Sequence, residues 1–267
     1  DTHPAMVIPE LMRIMMDDYG MDWDHAWNLT NRTVAYTNHT VMVEALERWP
    51  EDLIRQIVPR IYQIIEEINR RFCQILWNHF PGEWERISKM AILANGEVRM
   101  AHLSIAGAFS VNGVSALHSQ ILKDDCFHDF YLVSPEKFRN VTNGIAYRRW
   151  LGQSNPGLTQ LITDCIGDAF LRDPNRLADF LPFKEDPAVR SEFGRIKNAN
   201  KERLAAYIKE HNGIVVDPAS LFDVQAKRLH EYKRQLLNVL HILRLYYSYK
   251  DNPNQTIVPR TFLFGAK

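Results

Sequence analysis

The sequence has no surplus of either charge: 32 Lys and Arg stand against 32 Asp and Glu in 267 residues. A zero balance argues against a nucleic-acid partner, because affinity for a polyanion comes from phosphate neutralisation by surplus cations. Cysteine is scarce. Cys73, Cys126 and Cys165 form neither a CxxC pair nor an even disulfide framework, and a chain of this length needs no staples. A reducing cytoplasm is the default compartment. Long apolar runs are missing too. The longest stretch without Asp, Glu, Lys or Arg, Met100 to Leu122, carries His102, Ser104, Ser110, Asn112, Ser115, His118, Ser119 and Gln120, groups too costly to place in lipid. No membrane partner is expected. The stretch reads either as a polar-lined segment beside a site or as a deep core segment with satisfied hydrogen bonds. GxGxxG, Walker, GxSxG and HExxH patterns are absent, and His3, His25, His39 and His102 show no i, i+4 pairing, so no metal site is read.

What is present is the composition of a folded protein, 46% hydrophobic and 24% charged, with length for one large domain or two smaller ones. The first part reads as mostly helical. Pro4 followed by Ile8, Leu11, Met12 and Met15 predicts a helix ending near Gly20, and Asp22 caps a second. From Glu51 to Phe80, apolar residues recur at helical spacing with Pro59 as the one breaker, which predicts a long amphipathic helix or a kinked pair. Turn signals at Asn143-Gly144 and Asn155-Pro156-Gly157 mark a boundary. Beyond it, Ser220 to Ala226 alternates as a strand, Glu231 to Lys250 reads as a helix with Leu236, Leu237, Leu240, Leu243 and Tyr247 along one side, and Val258 to Lys267 closes a β-α-β unit. A strand ending the chain needs neighbours on each side, so the sequence is expected to be a fragment of a longer chain.

Chemistry concentrates in Lys227-Arg228-Leu229-His230-Glu231-Tyr232-Lys233-Arg234. This run sits between the expected strand and the expected helix, where open α/β sheets hold ligands and free N–H groups favour anions. Lys227, Arg228 and Lys233 suit one or two phosphates; a solvated charge run is the alternative. A second group, Tyr36 to Thr40 with His102, Asn112-Gly113 and Asn143-Gly144, offers uncharged donors and acceptors suited to sugar hydroxyls.

Asp1-Thr2-His3-Pro4, Thr37-Asn38-His39-Thr40 with Glu44 to Trp49, Thr142-Asn143-Gly144-Ile145 with Arg148-Arg149-Trp150, and Lys227 to Gln235 resemble, in order and along the whole chain, the α-glucan phosphorylases. The resemblance implies an α/β fold of two facing Rossmann-like domains (GT-B type). Residues 1–143 would be the C-terminal part of the first, substrate-binding domain, and 144–267 the incomplete beginning of the second, cofactor-binding domain. It implies phosphorolysis of α-1,4-glucan ends by orthophosphate to α-glucose 1-phosphate, with pyridoxal 5′-phosphate relaying a proton through its phosphate, in a full-length enzyme that is commonly a homodimer.

By the same resemblance, His39 and Asn143 bond glucose hydroxyls, Arg228 holds the substrate phosphate, and Lys227 and Lys233 surround the two phosphates. Tyr232 neighbours sugar and cofactor, while His230 and Asp1 line the site. Cations between two phosphates offset their repulsion and stabilise charge on a departing phosphate, beside which an oxocarbenium-like centre forms. Ala146-Tyr147 and Phe264-Gly265-Ala266-Lys267 depart from the common pattern. The family's Schiff-base lysine is expected beyond Lys267, which itself matches a different motif, and the glycine-rich cofactor loop before Asp1, so the isolated segment is expected to be inactive. A carbohydrate-binding module lacking the cofactor domain and a nucleotide-sugar glycosyltransferase are competing readings; the run from Lys227 to Gln235 disfavours the latter.

Overall fold

The computed structural model describes all residues from Asp1 to Lys267, in two compact units, Asp1–Gly144 and Ile145–Lys267. In the first unit α1 (Val7–Arg13) continues into a π-helical turn, Ile14–Asp18, and is followed by α2 (Trp23–Thr33). Asp22 starts α2 by accepting the His25 N–H at 2.9 Å, which satisfies an otherwise orphaned donor. Next come β1 (Tyr36–Thr37), β2 (Arg48–Pro50), α3 (Glu51–Ile57), α4 (Pro59–His79), α5 (Trp84–Met90), β3 (Leu93–Ala94) and β4 (Glu97–Arg99). The unit closes with α6 (Met100–Gly107), β5 (Val111–Gly113), α7 (Ala116–Ile121), α8 (His128–Val133) and β6 (Phe138–Asn140).

The apolar repeat from Glu51 to Phe80 is a helix pair. Pro59 has no N–H to donate and disfavours helical backbone at the residue before it, and Val58 accordingly takes φ −133°, ψ 65°. Ile64, Ile65 and Ile68 of α4 then join Ile8 and Met12 of α1 and Leu103 of α6 in one core cluster. A second cluster gathers Leu76, Ile105, Val111, Leu122, Phe127 and Phe138. Each fully buried aliphatic of this kind stabilises the fold by roughly 1.5–3 kcal/mol.

Helix α6 lies between the clusters, with Leu103 in one and Ile105 in the other. Apart from His102 and Ser104 it is apolar all round, as suits a core helix. Its polar groups are satisfied: the Ser104 hydroxyl donates to the Met100 carbonyl at 2.8 Å, and His102 Nδ1 lies 3.1 Å from the Met90 and Ala91 carbonyls. The first part of the uncharged stretch is therefore deep core.

Strand β5 runs parallel between β1 and β6, with Val111 opposite both Tyr36 and Phe138. A separate antiparallel sheet has the order β2-β4-β3.

The second unit contains a π-helical turn, Arg148–Gln153, then α9 (Pro156–Ile166), 3₁₀ turns within 169–185, α10 (Pro187–Asn212), β7 (Leu221–Ala226), α11 (Gln235–Asp251) and β8 (Arg260–Gly265). Strands β7 and β8 pair in parallel, Leu221 with Arg260 through Ala226 with Gly265, which bears out the β-α-β reading. The helix expected from Glu231 starts four residues later. Glu231–Lys233 form a 3₁₀ turn and Arg234 takes φ 59°, ψ 35°, a left-handed conformation that a right-handed helix cannot include. Leu236, Leu237, Leu240, Leu243 and Tyr247 of α11 are exposed, because two strands offer this 17-residue helix too little surface to cover them. No helix is long and apolar enough to cross a membrane.

Candidate functional site

The three strands β1, β5 and β6 end at one edge, the edge at which open α/β sheets present residues to ligands. His39 follows β1 by two residues and Asn143 follows β6 by three; both side chains are exposed. The Asn143 N–H donates to the Val114 carbonyl, just past β5, at 3.0 Å. Asp1 lies against β1, its main-chain nitrogen 2.5 Å from the Thr37 carbonyl, and its carboxylate accepts the Thr2 N–H at 2.8 Å. The fold thus brings His39, Asn143 and Asp1 to one edge, on three separate pieces of chain.

Beneath them lies a hydrogen-bonded layer in which Tyr36, Thr37, Asn38 and Asn112, read from the sequence as groups suited to sugar hydroxyls, bond one another and His118; the parts played by His118, Ser119 and Asn140 were not read. Asn38, fully buried, donates its N–H to the Asn112 carbonyl at 2.9 Å and its side-chain amide to the Tyr36 hydroxyl at 3.0 Å. Burial pushes the Tyr36 phenol up to about 12 against the opposing pull of Asn38, so it stays neutral. The Asn38 Oδ1 accepts the Thr40 N–H at 3.0 Å and lies 3.1 Å from His118 Nε2. Thr37 donates its hydroxyl to Asn112 Oδ1 at 2.8 Å, and Ser119 donates to Asn140 Oδ1 at 2.9 Å. Helix α7 is held here by its cap: Ser115 Oγ accepts the His118 N–H at 3.1 Å. The one available signal was Asn112-Gly113 followed by a capping Ser, which marks a strand turning into a helix.

In the second unit, Lys227 and Arg228 follow β7 directly, at its carboxyl end, and the Lys227 N–H donates to the Gly265 carbonyl at 2.9 Å. Buried Gln235 fixes the loop by donating to the Arg228 carbonyl at 3.1 Å. His230 accepts the Tyr232 N–H at 3.4 Å and packs against that ring at 4.1 Å between centroids, the planes tilted by 44°, while Lys233 Nζ lies 5.8 Å from the ring centroid. Lys227, Arg228, His230 and Tyr232 are exposed and Lys233 is half-buried. These cations are not part of the ion pairs of this unit, which join Arg172 to Asp168, Arg176 to Asp179, Arg190 to Glu185, Arg195 to Glu192 and Arg260 to Asp223. Cations left without carboxylates beside the start of α11, whose first N–H groups have no helical partner, can hold phosphate oxygens. The expected donors all precede the helix, within one loop.

The family model for carbohydrate phosphorylase matches residues 1–267. The chain belongs to the carbohydrate phosphorylase family. It is similar to glycogen phosphorylase of Bacillus subtilis (strain 168), with 53% identity over all of this chain and 34% of the relative. It is also similar to the muscle forms of glycogen phosphorylase of Homo sapiens, at 50% identity, and Oryctolagus cuniculus, at 48%, over all of this chain and 32% of each relative. This phosphorylase-family chain spans about a third of the length of the curated relatives it matches.

Proposed function

We propose that this chain is part of an α-glucan phosphorylase, which cleaves the non-reducing end of an α-1,4-glucan with orthophosphate to give α-glucose 1-phosphate. The observation that carries this reading is the loop Lys227–Arg234, with cations free of carboxylates at the carboxyl end of β7. In this reading Asp1–Asn143 forms the later part of a first Rossmann-like domain and residues 144–267 the beginning of a second, in a GT-B arrangement. The uncovered apolar residues of α11 fit a domain continued by further chain. The full-length enzyme is a cytoplasmic homodimer.

His39 and Asn143 hold glucose hydroxyls, with Asp1 beside them. Arg228 grips the substrate phosphate with its planar fork, and Lys227 and Lys233 neutralise it. As the C1–O bond to the glucan breaks, the glucan oxygen gains a proton from orthophosphate and a phosphate oxygen bonds to C1 on the same face; the cations stabilise the anion next to the positive glucosyl centre. The donor set also fits the phosphate of pyridoxal 5′-phosphate, which Lys227, Lys233 and Tyr232 would hold, with His230 lining the site. When bound, that cofactor supplies a phosphate able to pass a proton to and from the substrate phosphate.

The test is glucose 1-phosphate release from maltodextrin and orthophosphate by a full-length chain containing residues 1–267, with and without pyridoxal phosphate, beside the 267-residue segment. Cofactor-dependent release by the full-length chain and none by the segment is expected. A full-length chain that binds maltodextrin but releases no glucose 1-phosphate overturns the reading in favour of a binding module.

A further inference from the structure

Eighty residues separate His118 from Asn38, yet the two meet directly below the edge that carries His39 and Asn143. The two nitrogens of the His118 ring have different partners. Its Nδ1 accepts the Val114 N–H at 3.2 Å, and its Nε2 faces Asn38 Oδ1 at 3.1 Å and the Thr40 carbonyl at 3.5 Å. A nitrogen that accepts an N–H carries no proton, and a nitrogen facing two oxygens must donate, so the network assigns the neutral Nε2–H tautomer. Val114 passes the tie onward, because its carbonyl accepts the Asn143 N–H at 3.0 Å. On the other side, Asn38 Oδ1 also accepts the Thr40 N–H at 3.0 Å, so one side chain clasps the backbone on both sides of His39.

We infer that His118 is a positioning residue for sugar recognition, fixing His39 through Asn38 and Asn143 through Val114. The inference rests on the reading that His39 and Asn143 hold glucose. Beyond their paired residues β1, β5 and β6 run into loops; His118 bonds directly to those after β1 and β5, and Val114 joins the one after β6. His118 is half-buried below that edge. Its effect is to restrict the backbone that aims the two side chains, and a displacement of about 1 Å in such groups is enough to lose most of their contribution.

The experiment uses the full-length phosphorylase and measures KM for glucose 1-phosphate, KM for orthophosphate, kcat and the melting temperature. His118→Ala is expected to weaken glucose 1-phosphate roughly tenfold, the loss associated with one well-placed hydrogen bond. Orthophosphate KM is expected to stay within about twofold. His118→Gln, whose amide N–H can still reach toward Asn38, is expected to retain part of the sugar affinity. It also provides a folded variant if the alanine form is unstable. Because His118 acts through His39, the pair His39→Ala with His118→Ala is expected to lose less than the product of the two single effects.

A change in melting temperature alone, or an equal weakening of sugar and phosphate, overturns the positioning role and leaves His118 as a structural residue. His39→Ala and Asn143→Ala run alongside as controls. If both leave sugar affinity unchanged, the sugar-site reading fails and the positioning role fails with it. If they weaken the sugar while His118→Ala does not, the inference fails alone.

Discussion

Gly113 lies so close to Ser119 that a Cβ on Gly113 would stand 2.6 Å from the Ser119 hydroxyl oxygen, 2.7 Å from its backbone nitrogen and 2.8 Å from its Cα. The first of these atoms can rotate away; the other two belong to the backbone of α7. Gly113→Ala must therefore displace the helix that carries His118. A loss of about 1–3 kcal/mol is expected from overpacking of this kind. Urea denaturation checks it, and a midpoint equal to that of the parent chain contradicts the close approach.

His102 gives the first unit a dependence on pH. Burial, assisted by the charge of Arg99 and opposed by bonds to the Ala91 and Met90 carbonyls, lowers its pKa from 6.5 to about 4. The unfolded chain binds the proton more readily, so stability is complete above about pH 6.5 and declines as pH falls toward 4. The whole effect is about 3 kcal/mol. His102→Asn, which keeps an N–H for the two carbonyls, is expected to remove the slope. Hydrogen exchange of the α6 amides between pH 4 and 7 reads it directly, and an unchanged slope in the variant refutes the assignment.

Lys137 reaches into the carboxyl end of α6, donating to the Ile105 and Ala106 carbonyls at 3.1 and 3.2 Å. Burial lowers its pKa from the ordinary lysine value, yet the bonds cap two orphaned carbonyls and the charge suits the helix terminus. Lys137→Met keeps the stem and removes the cap. A loss of roughly 1–3 kcal/mol follows from leaving buried acceptors unpaired. Thermal melts that match the parent would show that the cap contributes nothing.

Arg228 is exposed and outside the ion pairs of its unit, so Arg228→Ala is expected to leave stability within about 0.5 kcal/mol. In the full-length chain the same change is expected to remove most phosphorolysis. Arg228→Lys is expected to recover little, since a point charge cannot reproduce a planar fork. Steady-state kinetics with varied orthophosphate decide the matter; unchanged kinetics reject the phosphate role.

Much of the helical architecture was legible because its causes are local. Pro59 breaks the helix at Val58, Asp22 caps α2, and the alternation from Ser220 placed β7 within one residue of its observed start at Leu221. The start of α11 was misread because helical spacing continues through Glu231 and Lys233, while the left-handed turn at Arg234 has no glycine or asparagine to announce it. The uncharged stretch from Met100 left two readings open. Packing divides it, with α6 and Val111 in the core and Asn112, His118 and Ser119 at the sheet edge.

The sequence by itself determined the helix boundaries at Asp22 and Pro59, that cations gather between β7 and α11, and, through its motifs, the family. Those properties depend on neighbours a few residues apart. Tertiary structure alone decided that Asn38 meets His118, that Thr37 bonds Asn112 75 residues away, and that His39 and Asn143 share one edge. Such contacts depend on how parallel strands far apart in the chain are brought side by side, and no local pattern encodes that register.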